Sequence, residues 1–129
     1  MPQITLEFTE NIAKLVDYRS VALGLHDLLV KEISCSLEDC KTRLAAVENY
    51  VIGDGSFDEA FVHVTFSILS GRTQAVKESL GTKAVETIAR AMPSAVAQRT
   101  IQITVEIRDL ERSTYKKQVV LGSPARNLA

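Results

Sequence analysis

The sequence predicts an α+β protein in which two successive β-α-β units form one four-stranded mixed sheet with two helices on one face. Two observations support this prediction. Residues 3–9, 60–69 and 101–107 alternate apolar and polar side chains, as half-buried strands do. Two stretches between them repeat apolar residues at helical spacing, so the second half of the chain repeats the order of the first. The 129 residues suit a single domain.

The first unit is predicted to span residues 2–52. It begins with the strand QITLEFT, and Asn11 is a candidate N-cap for a helix whose apolar residues run to Leu29. The later half of residues 41–52 is rich in β-branched and aromatic residues, which favours a second strand there, ended by GDGS at 53–56.

The second unit is predicted to span residues 59–110, followed by a tail at 111–129. The strand AFVHVTFSIL is followed by Thr73, which can cap a helix that carries apolar residues to Met92, and IQITVEI forms the last strand. A strand that returns through a helix pairs in parallel with the one before it, whereas the short polar turn at 54–59 suits a hairpin with an antiparallel neighbour between the two units.

Composition and charge narrow the classes of partner. A net charge of −1 makes nucleic acid an unlikely partner class, and without a signal segment or a run of about 20 apolar residues we expect a cytoplasmic protein with no membrane partner. Cys35 and Cys40 fit neither a CxxC motif nor a zinc knuckle and are predicted to be free thiols. Two histidines are too few for a multi-histidine metal site, so no metal is predicted.

With both helices on one side, the other face of the sheet is left uncovered. Four residues suggest that apolar side chains occur on both faces of the strands: Leu44, Ala46, Tyr50 and Phe61. An exposed apolar face usually marks association, which predicts an oligomer.

Pro2 is the first candidate catalytic residue. Because proline is small, the initiator methionine is expected to be removed, which leaves a secondary amine that serves as a base if burial or nearby cations lower its pKa. Lys41 and Arg43 lie two apart and would share one face of a strand, and Arg72 lies in the turn before a helix. Guanidinium groups bind carboxylates in an oriented way, so these residues predict proton transfer on a keto or enol acid. Taken singly, each also fits a solvated strand end or an ordinary turn, and His63 fits an interface or structural role.

The segments PQITLEFTENI and GDGSFDEAFVHVTFSILSGRT resemble the 5-carboxymethyl-2-hydroxymuconate isomerase family of the tautomerase superfamily, from Pro2 to about Leu110. The resemblance implies a homotrimer of duplicated β-α-β units with active sites near subunit boundaries. It implies Pro2 as general base, Arg72 as a carboxylate-binding residue, a role in homoprotocatechuate degradation, and no metal or organic cofactor.

The chain departs from the family pattern at Lys41, where the family carries an arginine, whereas Arg43 matches a second family arginine. Lysine keeps the charge but lacks the planar fork, which affects how the substrate is held. The tail, RSTYKKQVVLGSPARNLA, shows little resemblance, and its VVL segment is expected to pack on a neighbouring subunit.

The function predicted from the sequence is a cofactor-independent tautomerase that acts on a 2-hydroxydienoate such as 5-carboxymethyl-2-hydroxymuconate, or on a keto-enol dicarboxylate. Pro2, Arg72 and Lys41 are the predicted catalytic residues, and Arg43 joins Arg72 and Lys41 in substrate binding. Two alternatives stay open. One is a hydratase or dehalogenase on the same scaffold, in which a protonated Pro2 donates its proton to an unsaturated acid. The other is a trimeric binding protein without activity.

Overall fold

The computed structural model describes residues 1–56, 58–94, 96 and 98–122. Phe57 of the predicted turn at 54–59 and residues 123–129 of the predicted tail lie outside this part. The chain forms, in order, β1 (Gln3–Thr9), α1 (Tyr18–Ile33), β2 (Lys41–Val47), β3 (Glu59–Leu69), α2 (Gln74–Arg90) and β4 (Thr100–Leu110). The predicted order of strands and helices is confirmed.

The four strands form one mixed sheet in the order β2-β1-β3-β4. Each β-α-β unit contributes a parallel pair, and β1 and β3 join the two units in antiparallel orientation. The prediction of a hairpin at 54–59 is wrong, because β1 lies between β2 and β3. The connection from β2 to β3 therefore crosses the end of β1. The burial of the two strands agrees with this order: alternate residues of β1 are buried, whereas no residue of β2 is, as suits an edge strand.

The second strand lies earlier than predicted. Lys41–Val47 pairs with β1, with Lys41 opposite Gln3 and Val47 opposite Thr9, whereas the aromatic and β-branched residues at 50–52 follow the strand. Strand propensity depends strongly on context, and here seven successive pairings with a buried neighbour outweigh it.

The first helix begins later than predicted, while the start of the second is confirmed. Asn11 lies in a 3₁₀ turn, where its side-chain amide donates a hydrogen bond to the carbonyl oxygen of Glu59 (2.9 Å). The N-cap of α1 is Asp17, whose carboxylate accepts from the Ser20 N–H (3.2 Å). Thr73 caps α2 as predicted, because its hydroxyl accepts from the Val76 N–H (3.3 Å).

Both helices contribute to a single core on one face of the sheet. Ile4, Leu6, Val64 and Phe66 are fully buried and lie on one side of the two central strands. The helices add apolar residues to the same cluster, among them Leu25, Leu29, Leu80 and Ile88. Within the described residues, neither helix has the length and apolar character that crossing a membrane requires.

The uncovered face of the sheet is mostly polar, so the prediction of an apolar face is wrong for most of it, although Phe61 does lie there, on the same face as His63 and Thr65. Leu44 and Ala46 lie opposite Leu6 and Phe8, and paired residues point to the same side, which places both on the helix side. The uncovered face instead carries Thr5, Glu7, His63, Thr65, Thr104, Glu106 and Arg108.

Candidate active site

Pro2 lies at the beginning of β1, at the junction with β2. It is buried, and its carbonyl oxygen accepts a hydrogen bond from the N–H of Lys41 (3.3 Å). Residue 4, two positions on, is fully buried in the core. Pro2 is therefore held by backbone pairing on one side and by the anchored strand on the other, and Met1 before it is half-buried.

The amino group of the chain has a lowered pKa. Partial burial is the main cause of the lowering, and the positive charge of Arg72 is the second, whereas the negative charge of Asp39 acts in the opposite direction. This amino group belongs to Met1, one residue before the Pro2 nitrogen. Burial and the charge of Arg72 thus favour the uncharged form of the Met1 amine.

Arg72 is oriented by the backbone around it. Gly71 has φ of 119°, a conformation that favours glycine, and it directs the chain from the end of β3 toward α2. The guanidinium of Arg72 donates hydrogen bonds to the carbonyl oxygens of Leu69 (2.9 Å) and Ile33 (3.2 Å). A guanidinium has five N–H donors, so these two bonds fix its plane and leave others for a ligand.

Lys41 and Arg43 lie on the uncovered face, with Lys41 opposite Gln3 and Arg43 opposite Thr5. The Lys41 ammonium donates to the carbonyl oxygen of Asp39 (3.0 Å), and the Arg43 guanidinium donates to the side-chain oxygen of Gln3. Both side chains are exposed. The structure therefore brings Pro2, Arg72 and Lys41 to one end of the sheet, while Arg43 lies two residues further along β2.

Sequence reasoning missed the segment that follows β4, which we call the strap (residues 111–118). Its Tyr115 hydroxyl accepts a hydrogen bond from the side-chain amide of Gln3 (2.8 Å). Its Lys117 ammonium lies 2.9 Å from the Oδ1 atom of Asp39 and 3.6 Å from the sulfur of Met1. The tyrosine and two lysines of the strap were the available signal, but no periodic pattern linked them to the amino end of the chain.

Asp39 is the acidic member of this group and was also missed. Its pKa is lowered, first by the hydrogen bond from Lys117 and then by the charges of Lys117, Lys41 and the amino terminus. Asp39 thus stays ionised and offsets part of the positive charge near Pro2.

The cysteines are free thiols, as predicted, and their sulfur atoms lie 3.7 Å apart. Burial is the main cause that raises the pKa of Cys40 to about 12, which makes it a poor nucleophile.

Among the described residues, no three histidine, cysteine, aspartate or glutamate side chains are grouped to hold a metal ion. A cleft of about 270 Å³ between α2 and β4 is lined by Gln74, Lys77, Glu78, Gly81, Val105 and Ile107, and none of the candidate site residues lines it.

Comparison with known proteins identifies the family. A model of the family described as 5-carboxymethyl-2-hydroxymuconate isomerase matches residues 2–121, nearly the whole chain. The chain belongs to the 5-carboxymethyl-2-hydroxymuconate isomerase family. It is 25% identical over 118 residues to the 5-carboxymethyl-2-hydroxymuconate Delta-isomerase of Escherichia coli, covering 92% of this chain and 94% of the relative. The resemblance seen in the sequence is confirmed, and this chain is an isomerase.

Solved structures show the same fold. A 5-carboxymethyl-2-hydroxymuconate isomerase from Deinococcus radiodurans R1 superposes with a TM-score of 0.81 at 24% identity, over 91% of this chain and 88% of that one. A fused 4-OT protein, described as a wild-type symmetric trimer, superposes with a TM-score of 0.70 at 14% identity, over 90% and 93% of the two chains. The isomerase therefore has the tautomerase fold.

The family match also changes how the tail of this isomerase is viewed. We expected the resemblance to end near Leu110, but the family model continues to residue 121. The strap is therefore part of what the isomerase family shares, although its contacts with Gln3 and Asp39 become visible only in three dimensions.

Proposed function

We propose that this isomerase moves a proton on a 2-hydroxydienoate that carries more than one carboxylate, such as 5-carboxymethyl-2-hydroxymuconate, without a cofactor. The name of the Escherichia coli relative supports this substrate class. The observation that carries the proposal is the position of Pro2, which is buried at the start of β1 where Arg72 and partial burial lower the pKa of the chain's amino group.

Pro2 acts as the base once Met1 has been removed. With Met1 attached, the Pro2 nitrogen is an amide and has no basic lone pair. As the first residue, Pro2 takes a proton from the 2-hydroxy group or an adjacent carbon and returns it to a conjugated carbon. General acid–base transfer of this kind contributes roughly 10²- to 10⁴-fold to the rate.

The cations around Pro2 hold the substrate. Arg72, oriented by the carbonyl oxygens of Leu69 and Ile33, binds one carboxylate. Lys41 stabilises the negative charge that develops on the dienolate or binds another carboxylate, and Arg43 adds positive charge beside it. Partial burial and the charge of Arg72, which lower the pKa of the Met1 amino group, would act on a Pro2 amine in the same direction and so support a base rather than a proton donor.

The active assembly that we propose is a homotrimer, with the uncovered sheet face turned toward neighbouring subunits. The symmetric trimer described for the fused 4-OT protein supports this arrangement. Val119, Val120 and Leu121 are exposed after the strap and would pack on a neighbouring subunit. Each site would then lie close to a subunit boundary.

An assay of two matched forms of the protein tests the role of Pro2. One form is fully processed to begin at Pro2, and the other retains Met1; intact-mass spectrometry verifies both. We expect turnover of 2-hydroxymuconate and 5-carboxymethyl-2-hydroxymuconate only by the processed form. Equal activity of the two forms would rule out Pro2 as the base. Hydration or dehalogenation of unsaturated acids, or binding without any turnover, would support the other two functions.

A further inference from the structure

The strap closes one side of the amino end of β1 and is anchored at two points. The Arg112 guanidinium donates to the carbonyl oxygen of Ser70 (2.6 Å), two residues before Arg72. Tyr115 is bound to Gln3 (2.8 Å), the residue after Pro2. Between these anchors, the N–H groups of Thr114 and Tyr115 donate to the carbonyl oxygen of Glu111 and form a tight turn. The strap therefore has a defined path beside the candidate site.

Lys117 follows the second anchor and borders the space next to Pro2. Its ammonium is 3.6 Å from the Met1 sulfur. Met1 is bonded to the Pro2 nitrogen, so a group that contacts the Met1 side chain faces the volume into which a substrate must enter to reach that nitrogen. The Lys117 side chain is 40% exposed, which leaves its ammonium free to change partners.

The partner of Lys117 in the structure is a carboxylate. Its ammonium lies 2.9 Å from Asp39, whose carboxylate is also close enough to Lys41 and the amino terminus to be influenced by their charges. A substrate carboxylate in this region would meet the same cations as Asp39 does. A muconate has two carboxylates and a carboxymethyl group adds a third, so Arg72 alone does not account for the anionic groups of such a substrate.

We propose that Lys117 is a substrate-binding residue that determines specificity, because it leaves Asp39 to bind a second carboxylate of the substrate. This inference rests on the proposed function for its substrate class. The competing explanation is that the Lys117–Asp39 pair only anchors the strap. The two explanations predict opposite effects when Asp39 is replaced.

The experiment compares Lys117→Met, Lys117→Arg and Asp39→Asn in the processed protein. The matched control is Lys116→Met, because Lys116 is an exposed strap lysine that forms no ion pair within the described part of the chain. KM is measured for 2-hydroxymuconate, with two carboxylates, and for phenylenolpyruvate, with one. Calorimetry measures binding of adipate, an unreactive six-carbon dicarboxylate, and urea unfolding verifies that each variant is folded.

We expect Lys117→Met to raise KM for 2-hydroxymuconate and Kd for adipate about ten- to a hundredfold, as expected for one lost charge-assisted bond. KM for phenylenolpyruvate should change less than about twofold, and Lys117→Arg should restore most of the dicarboxylate binding. Asp39→Asn should lower KM for 2-hydroxymuconate, because Lys117 loses its competing partner. Lys116→Met should match the wild type.

The proposal is overturned if Lys117→Met changes KM for both substrates equally, or leaves adipate binding unchanged. It is also overturned if Asp39→Asn weakens binding as Lys117→Met does, since that is the behaviour of a strap anchor. Failure of the proposed function looks different: the wild type would turn over neither substrate. Loss of adipate binding in Lys117→Met would then still support the role of Lys117, whereas a wild type that does not bind adipate would remove both.

Discussion

The backbone N–H of Lys41 donates a hydrogen bond to the carbonyl oxygen of Pro2 at 3.3 Å. This bond joins the first residue of β2 to the residue immediately before β1, and it is continued by the pairing of Lys41 with Gln3. It uses only the backbone of residue 41, so the position of Pro2 does not depend on which side chain residue 41 carries. The side chain at this position is available to bind the substrate.

The variant Lys41→Arg tests whether the backbone and the side chain of residue 41 have separate roles. Because the backbone bond is kept and arginine restores the fork that the sequence resemblance assigns to this position, we expect the variant to fold normally and to keep or raise kcat/KM for 5-carboxymethyl-2-hydroxymuconate. Steady-state kinetics on the processed protein provide the measurement, with Lys14→Arg, an exposed lysine after β1, as control. Loss of activity with the fold intact would mean that the assignment of Lys41 to the substrate site is wrong.

Arg72→Ala is expected to affect both binding and stability. The substrate loses an oriented cation, which should raise KM and lower kcat. The carbonyl oxygens of Leu69 and Ile33 also lose their donor, which should lower the free energy of unfolding by about 1–3 kcal/mol.

Kinetics and urea unfolding separate these two effects of Arg72→Ala. Arg90→Ala, at the exposed end of α2, is the control and should change the free energy of unfolding by less than about 0.5 kcal/mol. Unchanged kinetics in a destabilised Arg72→Ala variant would limit Arg72 to a structural role.

Much of the fold was predictable because the local pattern of apolar and polar residues indicates which side chains are buried. Residues 3–8 of β1 and the residues of β3 alternate between buried and partly exposed, and this alternation follows the alternation of apolar and polar residues in most of the sequence there. The cap at Thr73 was predictable because its hydroxyl acts on a backbone N–H only three residues away.

Features that depend on distant contacts were not predictable in the same way. The start of β2 is set by its register with β1, and an exposed edge strand has no alternating burial to reveal its limits. In the candidate site, Pro2 and Arg72 were identified by residue type. The pair of Asp39 and Lys117, which lie 78 residues apart, depends on the path that the strap takes after β4.

The stability of the fold should depend on pH through Glu106. A hydrogen bond with His63 and then one with Arg108 lower the pKa of Glu106 to about 2, from an ordinary value of 4.5. Folding therefore favours the ionised form. Its stabilising effect is fully present above the ordinary pKa and is lost as the pH falls from about 4.5 to about 2.

Replacing Glu106 by Gln should remove this part of the acid sensitivity. We expect a lower urea midpoint than the wild type at pH 7 and a smaller decrease of the midpoint between pH 5 and pH 2. Glu48→Gln, an exposed carboxylate after β2, should keep the wild-type pH profile. A Glu106→Gln profile parallel to that of the wild type across this range would contradict the prediction.

The last feature to test is the proposed trimer and its interface. Sedimentation velocity at micromolar concentration should show a single species with about three times the chain mass of 14.2 kDa. Its interface should include the uncovered face, where Thr65 is half-buried and donates to Glu106 (3.2 Å). Thr65→Arg places a long charged side chain in the middle of that face and should shift the species toward the monomer, with loss of activity. Thr82→Arg, on the exposed surface of α2, is the matched control and should remain trimeric and active. A wild-type monomer would remove the proposed assembly, whereas a trimeric Thr65→Arg would place the interface on another surface.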